Sequence, residues 1–86
     1  MSGGERVPVD STAVWPEDAE DETALLLGWY VAPGDRVDEG ARLCVFQVEK
    51  VDVDVPAPAA GDLTDVRVAA DEEFERGDTL AVVDSS

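Results

Sequence analysis

Hydrophobic residues occur along this chain in short, valine-rich runs separated by Gly, Pro and Asp. No apolar stripe at helical spacing extends beyond two turns, whereas β-branched runs bounded by turn-forming residues are typical of strands. We therefore predict an all-β protein. The expected strands cover residues 6–9 together with 12–14, then 23–31, 42–48, 51–55, 62–68 and 79–83, with turns at 16–22, 33–35, 39–40, 56–61 and 76–78.

An internal repeat relates the two halves of the chain. When residues 29–46 are placed over residues 66–83, at an offset of 37, five of the 18 pairs are identical. These are Val31 with Val68, Ala32 with Ala69, Gly40 with Gly77, Leu43 with Leu80 and Val45 with Val82. Two copies are too few to stack as a solenoid. The repeat instead predicts a single domain over 1–86, in which half-sheets at about 23–48 and 62–84 pack face to face as a flattened barrel or sandwich with pseudo-two-fold symmetry.

A hairpin at residues 43–55 lies between these halves. After Lys50, valines alternate strictly with aspartates through Val55, as in a strand with one buried face. Before it, both faces of residues 43–48 are largely apolar, as in a more central strand. If the strands reverse between Val48 and Val51, a two-residue turn of Glu49 and Lys50 forms the tip.

Lys50 is the only lysine in the chain, and its place at this tip is the main functional signal. Glu-Lys is a poor two-residue turn, because such turns favour Asn-Gly or Asp-Gly, and a broken local rule hints at function. An exposed lysine amine is a flexible nucleophile and a common target of acylation. The alternative is an ordinary solvated charge.

Composition removes several classes of function. The chain has no His and a single cysteine, Cys44, so it cannot form a His/Cys zinc site, a Ser-His-Asp triad, a Cys-His pair or an internal disulfide. We expect no catalytic or metal-binding residues and no self-contained enzyme. On a central strand, Cys44 is expected to be a buried small hydrophobe rather than a redox partner.

The charge and the N-terminus narrow the setting. A net charge of −15 disfavours binding to nucleic acid and to anionic lipid. No apolar run is long enough to cross a bilayer, and no signal peptide is evident, so we expect a cytoplasmic protein. Carboxylates spread over the whole length, with five Arg but one Lys, suggest a halophilic archaeon; an acidic interaction surface is the alternative. The acidic run at residues 17–22 is expected to be a solvated loop.

Four spaced motifs surround the lysine. They are Gly34-Asp35-x-Val37-x-x-Gly40-x-x-Leu43, Glu49-Lys50-Val51, Val55-Pro56-x-Pro58-x-x-Gly61 and Gly77-Asp78-x-Leu80. Together, over residues 23–84, they resemble the lipoyl domains of the biotinyl/lipoyl-attachment family. The resemblance implies a flattened barrel of two four-stranded antiparallel sheets, with the modified lysine at an exposed hairpin tip. Gly40, Gly61 and Gly77 are interpreted as structural turn residues.

The residues flanking the lysine favour lipoate over biotin. The family usually has Asp-Lys-Ala at this point, whereas this chain has Glu49-Lys50-Val51, which keeps the acid and replaces Ala with Val. Biotin carriers place Met on both sides of the lysine, and this chain has no Met beyond Met1. We therefore expect lipoate on Lys50, with biotin as the alternative cofactor.

The resemblance also implies a role and partners. Lys50 would carry a lipoyl group in amide linkage and shuttle acyl groups and reducing equivalents within a 2-oxoacid dehydrogenase-type complex, with glycine cleavage second. A lipoate ligase or lipoyl transferase would modify it, and dehydrogenase, acyltransferase and dihydrolipoamide dehydrogenase components would use it. Val48, Glu49, Val51 and Asp52 are the expected recognition residues. Because no linker or acyltransferase segment follows, we expect either a free carrier or a fragment, and the initial Met1 favours a free carrier. An unmodified binding module of the same fold is the remaining alternative.

Overall fold

Two four-stranded antiparallel sheets make up the fold in a computed structural model that describes residues 5–85. The strands are β1 (Glu5–Asp10), β2 (Thr23–Trp29), β3 (Arg36–Val37), β4 (Arg42–Val48), β5 (Val51–Pro56), β6 (Gly61–Thr64), β7 (Glu73–Glu75) and β8 (Thr79–Ser85), with a 3₁₀ helix at Ser11–Val14. One sheet, here the β8 sheet, has the order β1-β8-β6-β3, and the other, the β4 sheet, has the order β5-β4-β2-β7. The predicted all-β fold with two four-stranded antiparallel sheets is confirmed.

Several predicted boundaries are wrong for local reasons. Residues 12–14 are helical rather than extended, because the Asp10 side chain accepts the Thr12 N–H at 2.9 Å and so caps a 3₁₀ turn. The strand predicted over 62–68 ends at Thr64, where Asp65 takes a φ of 52° and turns the chain. The strand predicted to reach residue 31 ends at Trp29. Both β3 and β7 were missed, since two or three residues in acidic surroundings leave no alternation to detect.

The core lies between the two sheets and draws on both. Fully buried large side chains from the β8 sheet are Val9, Leu63, Leu80 and Val83, and those from the β4 sheet are Leu26, Leu43, Phe46, Val48 and Val55. Three aromatic rings extend this core toward one end. Trp15 stacks on Phe46 with centroids 5.5 Å apart, and Phe74 meets both rings edge-on.

Backbone pairings recur along the chain at the same offset of 37 residues as the sequence repeat. Val37 pairs with Gly61 across β3 and β6, and Phe74 pairs with Ala24 across β7 and β2. Each half of the chain therefore contributes one short edge strand to the sheet built mainly by the other half. Within residues 5–85, no helix is long and apolar enough to cross a membrane.

Candidate functional site

The β4–β5 hairpin ends in a two-residue turn. Val48 pairs directly with Val51, which leaves Glu49 and Lys50 as the reversal. Val48 is buried, so it anchors the base of the tip, whereas Val51 on the returning strand is 51% exposed. Lys50 is exposed, and the five ion pairs found among residues 5–85 all use arginines instead. The chain's only amine side chain is thus accessible at the end of a paired hairpin.

The backbone at this tip is unusual. Glu49 has a φ of 61°, and only Asp65 and Asp71 share a positive φ among the described residues other than glycine. A non-glycine residue in the left-handed region costs on the order of 1–2 kcal/mol. Such a conformation persists where surrounding contacts hold it in place.

Those contacts come from the acidic loop, residues 17–22. One carboxylate oxygen of Glu49, Oε2, accepts the backbone N–H groups of both Glu20 and Asp21, the latter at 2.9 Å. A second hydrogen bond fixes the loop at the same residue, because the Trp15 Nε1–H donates to the Asp21 carbonyl at 3.3 Å. The Glu22 carbonyl in turn accepts the Arg76 N–H at 2.8 Å. The side chains of this run are largely exposed, but its backbone is bound to the hairpin and the core.

A small groove separates the acidic loop from the hairpin. It has a volume of about 80 Å³ and is lined by Pro16, Asp18, Ala19, Val48, Glu49 and Val51. A larger and more apolar cleft of about 180 Å³ lies between the 3₁₀ helix and β5, and none of its lining residues belongs to the tip. Lys50 is therefore presented beside a shallow groove rather than inside an enclosed pocket.

The outward face of the hairpin carries carboxylates with neighbours of their own. Asp52 is exposed and accepts a hydrogen bond from the Gln47 side-chain amide at 3.2 Å. Asp54 lies 3.6 Å from the Arg42 guanidinium. Cys44 is fully buried on β4, and burial, followed by the nearby charge of Asp54, raises the pKa of its thiol to about 12. The thiol is consequently protonated and shielded from the hairpin tip.

The three glycines interpreted as turn residues have different structural roles. Gly40 and Gly77 have φ values of 87° and 95°, which L side chains rarely adopt. Gly61 is not a turn residue: it is the buried first residue of β6, where a Cβ would meet backbone atoms of Asp84 and Ser85. Glycine is required at this position because the backbones of β6 and β8 approach each other closely.

The sequence predicts a site at Val48, Glu49, Lys50, Val51 and Asp52, and the hairpin places these five residues around the tip, with Val48 buried and the other four exposed. What it missed is the backbone of the acidic loop, which joins the same site through two N–H groups. Backbone donors leave no residue-type signal, so only the fold reveals this contact. Within residues 5–85, no cluster of three or more His, Cys, Asp or Glu side chains is arranged to hold a metal ion.

Comparison with known proteins gives a consistent result. The dihydrolipoyllysine-residue acetyltransferase component of the pyruvate dehydrogenase complex from Acholeplasma laidlawii is 29% identical over 59 residues, which are 69% of this chain and 11% of that protein. The corresponding component of the acetoin cleaving system from Bacillus subtilis (strain 168) is 31% identical over 55 residues, 64% of this chain and 14% of that protein. The chain thus spans only a small part of the length of these relatives.

A family sequence profile covers more of the chain than either relative. The profile, described as "Biotin-requiring enzyme", matches residues 14–83, which include both halves of the repeat and the whole β4–β5 hairpin. Members of this family carry lipoate or biotin covalently on a lysine and are generally non-catalytic carrier domains. By this match, the chain belongs to the biotin/lipoyl attachment family.

Proposed function

We propose that this chain is a lipoyl carrier domain in which Lys50 bears the lipoyl group. One observation carries the proposal: the only lysine of the chain is exposed at the two-residue tip of the β4–β5 hairpin. An amine in this position is open to an incoming acylating enzyme. The buried Cys44 offers no competing nucleophile, because its thiol is shielded and its pKa is raised to about 12.

The residues present fit an amide-linked group. Lys50 Nζ would form the amide, and its charge would be lost on acylation. The paired strands β4 and β5 hold the tip away from the core, so a group attached there remains free to move between partners. When bound, the lipoyl group supplies a dithiolane that accepts acyl groups and electrons. The chain itself contributes attachment, presentation and a recognition surface formed by the exposed Glu49, Val51 and Asp52; Val48, also expected to take part in recognition, is buried and instead supports the tip from below.

The proposed partners follow from the relatives. Both relatives are acetyltransferase components whose names specify dihydrolipoyllysine. We place this chain in a 2-oxoacid dehydrogenase-type system in the cytoplasm, modified by a lipoate ligase or lipoyl transferase and served by dehydrogenase, acyltransferase and dihydrolipoamide dehydrogenase partners. The chain would act there as a single lipoyl-type domain and would catalyse no reaction.

Biotin is the second candidate for the group on Lys50, because the matching family profile is described as "Biotin-requiring enzyme". The residues at the tip argue for lipoate, because neither neighbour of Lys50 is the methionine that biotin carriers use. An unmodified binding module would give no account of a lone lysine at this position.

Intact-mass spectrometry distinguishes the three candidates. The full chain is co-expressed once with a lipoate ligase and lipoate, and once with a biotin ligase and biotin, and the modified residue is mapped by digestion. We expect a lipoyl increment on Lys50, and no increment in Lys50→Arg, which should retain the β-sheet circular dichroism of the wild type. A biotin increment alone would establish the biotin carrier, and no increment with either ligase would contradict both carrier functions.

A further inference from the structure

Glu49 joins two segments that are far apart in the sequence. Its Oε2 atom accepts N–H groups from Glu20 and Asp21, which precede it by 29 and 28 residues. Its own backbone has a φ of 61°, directly before Lys50. The residue that holds the acidic loop is therefore also the residue with a left-handed backbone directly before the lysine.

We propose that Glu49 is a positioning residue. Its two hydrogen bonds to the N–H groups of Glu20 and Asp21, here called the clasp, hold Lys50 in one orientation for the enzyme that modifies it. This inference rests on the proposed function of Lys50. Hydrogen bonds from backbone N–H groups to a carboxylate are stronger than neutral ones, and two of them offset the conformational cost at the turn. Without the clasp, the tip would lose this restraint and would have to be ordered on binding.

The length of the side chain is central to the clasp. The family usually has Asp before the lysine, which is shorter by one methylene, a bond of about 1.5 Å. The pairing of Val48 with Val51 fixes the base of the turn, which limits how far the tip can shift toward the loop to compensate. An aspartate would leave its oxygen beyond hydrogen-bonding reach of one or both N–H groups. Glutamine keeps the reach and an acceptor oxygen but not the charge.

The acidic loop has anchors that do not depend on Glu49. The Trp15 indole holds the Asp21 carbonyl, and the Arg76 N–H holds the Glu22 carbonyl. The aromatic core beneath Trp15 is likewise untouched by a change at position 49. Loss of the clasp should loosen the tip locally and leave the fold intact.

The test compares Glu49→Ala, Glu49→Asp and Glu49→Gln with a matched control, Glu17→Ala, which removes a negative charge from the acidic loop without touching the clasp. Amide hydrogen exchange at Glu20 and Asp21 reports the clasp, and KM and kcat for lipoylation of Lys50 by a lipoate ligase report presentation. We expect E49A and E49D to lose about tenfold in amide protection and to raise KM about tenfold with kcat little changed. E49Q should stay within about threefold of the wild type in both measurements, because a neutral acceptor still reaches both groups.

Several outcomes would overturn this assignment. E49D with a KM equal to or below that of the wild type would show that the family aspartate serves equally well. Lost protection with an unchanged KM would make the clasp purely structural, and an equal rise in KM for E17A would assign the effect to loop charge. If the wild-type chain accepts neither lipoate nor biotin, the proposed function itself fails; the exchange data would still report the contact, but the positioning role would fall with it.

Discussion

The chain has one lysine and one cysteine, and the fold places these two nucleophilic residues in opposite environments. Lys50 is exposed at a hairpin tip, whereas Cys44 is fully buried six residues earlier on β4. A thiol reacts as its thiolate, and burial disfavours that charged form. Reactivity at this end of the molecule is thus confined to the amine.

The raised pKa of Cys44 predicts a specific loss of stability at high pH. Its ordinary value is 9.0 and its folded value is about 12, owing first to burial and second to the charge of Asp54. The folded state therefore keeps a proton that the unfolded state releases, so stability is unaffected below about pH 9 and falls as the pH rises from about 9 to about 12. Cys44→Ala removes this titration.

Urea denaturation of the wild type and of Cys44→Ala, at about pH 8 and about pH 10.5, tests this loss of stability at high pH. Cys44→Ala should be less stable than the wild type at the lower pH, because it leaves a small cavity. The difference in the free energy of unfolding should narrow at the higher pH, because only the wild type loses stability by this titration. If the difference in the free energy of unfolding is the same at both pH values, the buried thiol is not the cause of the loss of stability at high pH.

At the scale of strands, much of the fold was predictable, because short apolar runs bounded by turn residues identify β4, β5 and β8 directly. Short edge strands were not predictable: β3 is two residues long, and it forms because Val37 pairs with Gly61 rather than from any pattern of its own. Its counterpart β7 depends on one buried side chain, Phe74. For the candidate site, the sequence identified the tip and its lysine but not the loop bound to it. That contact depends on tertiary placement of backbone N–H groups.

The close approach of β6 to β8 predicts the effect of adding one methyl group. In Gly61→Ala, the new Cβ would lie 2.8 Å from the Asp84 carbonyl carbon and 2.9 Å from the Ser85 Cα, so a strand must shift. Overpacking of this kind costs about 1–3 kcal/mol. We expect a loss of about 2 kcal/mol in the free energy of unfolding, measured by urea denaturation.

Gly28→Ala is the matched control for that substitution. Gly28 also lies in a strand, at an irregularity in the pairing of β2 with β4, but an added Cβ there would meet nothing within 4 Å. Its cost should stay below about 0.5 kcal/mol, as for ordinary surface changes. Equal costs at the two glycines would contradict the role of strand packing at Gly61.

At the scale of the whole molecule, the charge is poorly compensated. The net charge is −15, and the five ion pairs among residues 5–85 are all solvent-exposed. Exposed pairs contribute about 0–1 kcal/mol each, so they offset little of the repulsion among carboxylates. Asp65 alone contacts two arginines, and the hydrogen bond from Arg67 is the main cause that lowers the pKa of its carboxyl. Repulsion over the rest of the surface is left for dissolved salt to screen.

This imbalance predicts a protein that gains stability with salt. Raising KCl from about 0.1 M to about 2 M shortens the screening length from about 10 Å to a few ångströms, which removes most repulsion between separated surface charges. The urea midpoint should therefore rise.

Because salt also strengthens apolar burial, the comparison needs a variant with the same core and fewer charges. Asp38→Asn, Glu39→Gln and Glu73→Gln together remove three exposed negative charges from residues outside the β4–β5 hairpin. This triple variant should be more stable than the wild type in dilute buffer and should gain less from KCl. An identical gain in the two proteins would assign the salt effect to the core, and the acidic surface would then reflect partner binding rather than adaptation to salt.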